Sequence, residues 1–298
     1  MLVAGSAGGP VRLDAGTGRP VLEYPDGCYG PISELAAAEL PDGRLTLGAA
    51  REDGFSAWDA GTGEPLVEPE DLNTVWGLAA GTLANGRGLF AGAGNDHLIH
   101  LWDATTGRAF GAPLAGHLGS VKAVATFTLP DGSLGIASGG DDCTVRRWDA
   151  ASGGQIGDPL TGRDWWFTEV TALELGNGRT MLACSQLSYD EDVRLVHRWD
   201  AVTGEPIGPP FETGVEEGGL CTAWIDGAPR LLSCEAGWVR QRGAVTGEPY
   251  DDLPLEGDVV AAVPLPGGGT LIATGSRGGR ASLTSSRGPG GSGRRGGV

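Results

Sequence analysis

Residues 138–153 read SGGDDCTVRRWDAASG, and the last seven residues of that stretch return along the chain. AWDAGTG ends at Gly63, LWDATTG at Gly107, RWDAASG at Gly153 and RWDAVTG at Gly204; weaker copies are LDAGTG from Leu13 and RGAVTG from Arg242. Aligning the aspartates of this tail gives Asp14, Asp59, Asp103, Asp149 and Asp200, continued by Gly243 and Ser285, in steps of 45, 44, 46, 51, 43 and 42 residues. A near-constant period of this length suits a unit of four short antiparallel strands. Such a sheet cannot bury both faces alone and must stack on copies of itself.

Inside each period the segments are short, alternating or β-branched, and broken by Gly, Pro, Asp and Asn, which predicts strands rather than helices. In the best copy SVKAVATFTL (120–129) is the expected inner strand, PDG (130–132) a tight turn, SLGIASG the second strand, CTVRRWD the third and QIGDPL the outer one. The same turn recurs as PDG at 41–43, ANG at 84–86, GNG at 176–178 and PGG at 266–268. Glycine supplies the positive φ that such turns require, and Asp or Asn can bond back to the chain. The DAxTG tail makes a second class of turn, between third and outer strands.

Over nearly its whole length the chain resembles the WD-repeat β-propeller family, in the bacterial form whose blades carry WDAxTGEPxG. The resemblance implies an all-β propeller, read here as seven blades of mostly four antiparallel strands. It also implies a polar relay of His, Ser or Thr, Asp and Trp across a blade. One copy keeps all four positions: His117, Ser138, Asp142 and Trp148. A buried imidazole and carboxylate need such partners to offset desolvation. Elsewhere the pattern is eroded: Gly92 stands at the serine position before Trp102, Asp71 near the histidine position, and Val193 where an aspartate belongs before Trp199. In those blades apolar packing is expected to carry more of the stability.

The first unit lacks an inner strand and the last an outer one, so both end blades are expected to be incomplete, as in a truncated member. Residues 1–284 are read as one propeller domain and the Gly/Arg/Ser-rich residues 285–298 as a disordered tail. The net charge is −17, with acidic residues spread through the turns, which disfavours nucleic acid and favours a basic or polar protein partner. No apolar run approaches the roughly 20 residues of a membrane helix, and residues 1–10 lack the features of a secretory signal, so no membrane association and a cytoplasmic location are expected. The cysteines at 28, 143, 184, 221 and 234 are scattered and read as free thiols, with neither metal nor cofactor expected.

Three functions compete: a non-catalytic interaction scaffold or receptor module, the ligand-sensing region of a larger regulatory ATPase or kinase, and an enzyme with an axial pocket. The chain has neither a GxxxxGK[ST] phosphate loop nor kinase signatures. The relay invites a hydrolase reading, but Ser138 lies on a strand without a nucleophile elbow. The candidate partner site comes from the one long step, between Asp149 and Asp200, where two loops on the same face are enlarged. One carries Trp165, Trp166 and Phe167; the other carries Tyr189, Asp190, Glu191 and Asp192. Aromatics beside a charged rim suit a binding hot spot, whereas Trp165 or Phe167 turned inward would cap the blade. The oxygen spacing of an EF-hand is absent from YDED.

Overall fold

The computed structural model describes residues 2–6, 9–13, 20–24, 31–67, 70–71, 74–188, 193–214, 219–264, 269–275 and 281–287. They form only strands, turns and bends. The first sheet is β1–β3 (Leu2–Ser6, Gly9–Leu13, Pro20–Glu23), and the second is β4–β7 (Ile32–Glu39, Leu45–Arg51, Gly54–Asp59, Glu70–Asp71). The third is β8–β11 (Val75–Thr82, Gly88–Gly94, Leu98–Asp103, Leu114–Ala115), and the fourth is β12–β15 (Val121–Thr128, Leu134–Gly140, Thr144–Asp149, Leu160–Thr161). The fifth is β16–β19 (Trp166–Leu175, Arg179–Ser188, Val193–Asp200, Phe211–Thr213), and the sixth is β20–β23 (Leu220–Ile225, Ala228–Glu235, Trp238–Gly243, Leu253–Glu256). The last is β24–β26 (Val259–Pro264, Gly269–Gly275, Ala281–Arg287).

The fold class is thus all-β, with five complete four-stranded blades rather than seven; the two further sheets have three strands each. The outer strand also differs from expectation. QIGDPL gives a single bridge from Gln155 to Trp148, bends at Gly157 with φ of 63°, and resumes pairing only at Leu160–Thr161. The predicted tail begins inside β26; residues 288–298 lie outside the described residues, as do Asp14 and Cys28.

The chain divides into two compact units, Met1–Val170 and Thr171–Val298. In the first unit, apolar sheet faces stack. Phe55 of β6 lies parallel to Trp102 of β10 at 4.1 Å, and Phe90 closes on Phe55 at 5.5 Å. A second cluster joins β9 and β10 to β12–β14 through Leu89, Ile99, Val124, Ile136 and Trp148. Small residues on β8 permit the approach: a Cβ on Gly81 would fall 2.5 Å from Leu134. The unit Thr171–Val298 has its own clusters, around Met181, Val196 and Leu231 and around Leu232, Val239 and Ile272.

An inner strand presents one unpaired edge, whose backbone groups need partners. Side chains from neighbouring inner strands supply them. Glu34 of β4 accepts the Leu78 N–H at 2.8 Å, and Thr126 of β12 donates to the Ala80 carbonyl at 2.7 Å. In the other unit Thr222 donates to the Ala172 carbonyl at 2.9 Å and the Trp224 indole to the Glu174 carbonyl at 3.1 Å.

Candidate functional site

The repeated tail builds one turn again and again. In DAGTG the Asp59 carboxylate accepts the Gly61 and Thr62 N–H groups, both at 2.9 Å, and the Thr62 hydroxyl accepts the Glu64 N–H at 3.2 Å. Asp103, Asp149 and Asp200 do the same for the residues two and three positions on. Gly63, Gly107, Gly153, Gly204 and Gly247 end these turns at φ of 69–79°. The motif is therefore a fold element and carries no chemistry.

His117, Ser138, Asp142 and Trp148 are joined in a single hydrogen-bonded chain. His117 Nδ1 lies 3.0 Å from both Asp142 oxygens, His117 Nε2 2.8 Å from Ser138 Oγ, and the Trp148 indole donates to Ser138 Oγ at 2.9 Å. Asp142 also accepts the Leu118 N–H at 3.0 Å and the Thr144 hydroxyl at 2.8 Å. Burial alone would raise the Asp142 pKa, but the bonds from His117 and the Leu118 N–H outweigh it and hold the carboxyl well below the usual range. With an ionised aspartate on Nδ1–H, Nε2 is the acceptor of the Ser138 hydroxyl, and that oxygen in turn accepts the indole proton.

The three aromatics expected in one loop take different places: Trp165 precedes β16, whereas Trp166 and Phe167 are its first two residues. Phe167 is fully buried, and a Cβ on Gly139 would come 2.9 Å from its Cβ. Trp165 is half-buried with the Arg163 guanidinium over its ring at 4.8 Å, whereas Trp166 is 45% exposed. In the loop before β12 of the preceding blade, Leu118 is 83% exposed. Burial, and then the Asp164, Asp142 and Asp141 carboxylates, raise the Cys143 thiol pKa. Tyr189, Asp190, Glu191 and Asp192 lie outside the described residues.

Residues 110–149 match the family model described as "WD domain, G-beta repeat". That span holds the whole relay and the three longer strands of the fourth sheet. The match covers a single repeat, and the antiparallel four-stranded sheets are of the β-propeller class. The chain is also similar in fold to a solved structure, the computationally designed Ika8 protein in a P63 crystal packing, with a TM-score of 0.61 at 20% identity over 94% of this chain and 79% of that one. At that identity the likeness speaks for the fold alone. A comparison with curated proteins gave no match.

Outside the matched repeat, the eroded blades replace the relay instead of leaving it empty. In the third sheet Asp96, in the turn before β10, is met by His100 of β10, Nε2 to Oδ2 at 2.9 Å, and His100 lies over Trp102 with centroids 5.9 Å apart. Gly92 is required there, because a Cβ would stand 2.6 Å from the Trp102 ring. In the fifth sheet Cys184 pairs opposite His197, whose ring stacks on Trp199 at 5.1 Å while Nε2 meets Gln186 Oε1 at 3.0 Å. From the sequence, His100 and His197 fall within strand segments beside the Trp-Asp signature and read as packing residues, as their stacking shows; their polar partners Asp96 and Gln186 were not legible. The available signal was a histidine two residues before each Trp-Asp pair.

Sequence reading also missed an arginine staple. Arg12 and Arg198 stand at the same register position, two residues before the aligned aspartates. Arg12 donates to the Ala60 carbonyl at 3.2 Å in the first unit, and Arg198 to the Ala244 and Val245 carbonyls at 3.3 and 2.7 Å in the second. Each guanidinium thereby satisfies the carbonyls of the next blade's turn. Burial lowers the pKa of Arg198. Among the described residues no group of three or more His, Cys, Asp or Glu could hold a metal ion, and no helix is long and apolar enough to cross a membrane.

Proposed function

We propose that the protein is a non-catalytic docking module, which holds a basic or polar segment of a cytoplasmic protein partner against the entry loops of its fourth and fifth blades. WD-repeat propellers commonly mediate protein–protein interaction. The observation that carries the reading is the placement of Trp166 and Leu118. Both are apolar and well exposed, Leu118 in the loop before β12 and Trp166 at the first residue of β16, with Asp164 two residues before Trp166 and Asp141 packed by Gly119. Turn chemistry asks for neither residue, and exposed apolar side chains on an acidic protein suit anchors for a cationic segment.

The relay does not support a hydrolase. Its Ser, His and Asp stand at triad distances, but Ser138 is fully buried and its oxygen already accepts the Trp148 proton, so no carbonyl can reach it. His100 and His197 pack on tryptophans, and His97 sits in a turn at φ of 71°. The test is selection of displayed peptides against the protein, followed by titration of an enriched peptide. Lys- or Arg-bearing sequences with one apolar anchor should emerge. Trp166→Ala should weaken binding by about 2 kcal/mol, roughly thirtyfold, with an unchanged melting temperature. Unchanged affinity together with a large loss of stability would assign Trp166 to packing and end this reading.

A further inference from the structure

Three successive inner strands carry the same irregularity. Ile32 and Glu34 pair with the adjacent residues Arg51 and Ala50, Val75 and Gly77 with Gly94 and Ala93, and Val121 and Ala123 with Gly140 and Gly139. One residue in each strand is therefore left over: Ser33, Trp76 and Lys122. A bulge of this kind re-aims the extra side chain. In the fourth blade it carries Lys122, the chain's single lysine, across to the third blade, where the ammonium sits 4.6 Å from the centre of the Trp76 ring. The same nitrogen is 3.3 Å from Asp141 Oδ2.

An aromatic face and a carboxylate converging on one ammonium are the chemistry by which proteins recognise alkylammonium groups. The pocket is not saturated by its occupant. Asp141 Oδ1 and Trp76 Nε1 have no hydrogen-bond partner among the described residues. Nor is the contact needed as a latch. The two blades are already joined by Thr126 on the Ala80 carbonyl, by Ser120 Oγ on Asn95 Oδ1 at 2.9 Å, and by the shared apolar cluster. The bulge does not demand lysine either, since Ser33 and Trp76 occupy it in the neighbouring blades. With 28% of each side chain open to solvent, the Lys122–Asp141 pair is a weak surface contact that another cation can displace.

We propose that Trp76 and Asp141 form a recognition site for the ammonium group of a partner's lysine side chain, and that Lys122 fills it in cis until displaced. The site gives a chemical class to the docking reading above and rests on it only for the source of the cation. A self-plugged site binds more weakly by the fraction of time it is plugged, so removing the plug tightens binding.

The test is a titration with N-acetyl-lysine-N-methylamide, and with its neutral norleucine analogue, followed by the Trp76 indole N–H resonance assigned through Trp76→Phe. Lys122→Ser, the residue the second blade carries at this position, should bind the lysine probe about fivefold more tightly than the wild type, the step expected for losing a partly exposed cation–π plug. Lys122→Arg should stay as weak as the wild type, the norleucine analogue should not bind, and adding Asp141→Asn to Lys122→Ser should remove the gain. Equal affinity of Lys122→Ser and the wild type, equal binding of both probes, or indifference to Asp141→Asn would each overturn the proposal. So would a Lys122→Ser variant that loses its folded spectrum, which would make the lysine a structural latch. Because no partner protein is used, these outcomes are independent of the Trp166→Ala result.

Discussion

Ser138→Ala isolates the relay, because it removes one oxygen from the middle of the chain and leaves every apolar contact in place. In the wild type that oxygen accepts from the Trp148 indole at 2.9 Å and serves His117 Nε2 at 2.8 Å. Ser138 is wholly buried and His117 nearly so. The substitution therefore strands one buried donor and one buried acceptor, each costing about 1–3 kcal/mol, for a loss of about 2–6 kcal/mol. The assay is urea unfolding followed by tryptophan fluorescence and far-UV circular dichroism. Adding Trp148→Phe removes the stranded donor, so the two losses should be less than additive by about 1 kcal/mol. A loss below about 0.5 kcal/mol, or full additivity, would refute the account of a hydrogen-bonded relay and leave Trp148 as an apolar plug alone.

Further outcomes follow from other contacts. Arg198→Ala should destabilise the unit Thr171–Val298 by about 2–4 kcal/mol and speed hydrogen exchange at 244–247, because it strands the Pro209 and Val245 carbonyls now held at 2.7 Å; Lys at this position cannot span both. At low pH the turn aspartates matter. Asp59 is held below its ordinary pKa chiefly by the Thr62 N–H; at Asp200 burial pulls the other way but the Thr203 N–H and Arg179 prevail. Their contribution is present above the ordinary carboxylate range and lost as pH falls through the lowered values, so acid unfolding should begin below about pH 4 and Asp200→Asn should flatten it. Glu34 behaves oppositely. Glu34 is exposed by surface area, yet the protein density around its carboxyl raises its pKa to about 7, with the Leu78 N–H opposing this and the Glu169 carboxylate adding to it. The protonated form is favoured in the fold, so this contribution is full below about pH 4.5 and lost as pH rises through 7. Carbon-13 NMR of the carboxyl should titrate near neutrality, and Glu34→Gln should remove the slope; an ordinary titration near pH 4.5 would refute the crowding.

Much of this protein was legible in the chain because its information is local and repeated. The Trp-Asp-Ala tail specifies a turn through bonds that span two or three residues, so each copy announces itself, and the period counts the sheets. The four relay residues could be named because they lie at fixed offsets from that tail. Tertiary structure alone decided what depends on two blades meeting. His100 could replace the missing relay histidine only once Gly92 had made room for Trp102, and Arg198 found its carbonyls 46 and 47 residues away. Which of Trp165, Trp166 and Phe167 turns inward was set by the space above Gly139, a contact between sheets that no spacing in the sequence encodes. The bulges at Ser33, Trp76 and Lys122 were hidden for the same reason: a residue becomes surplus only relative to the strand it pairs with.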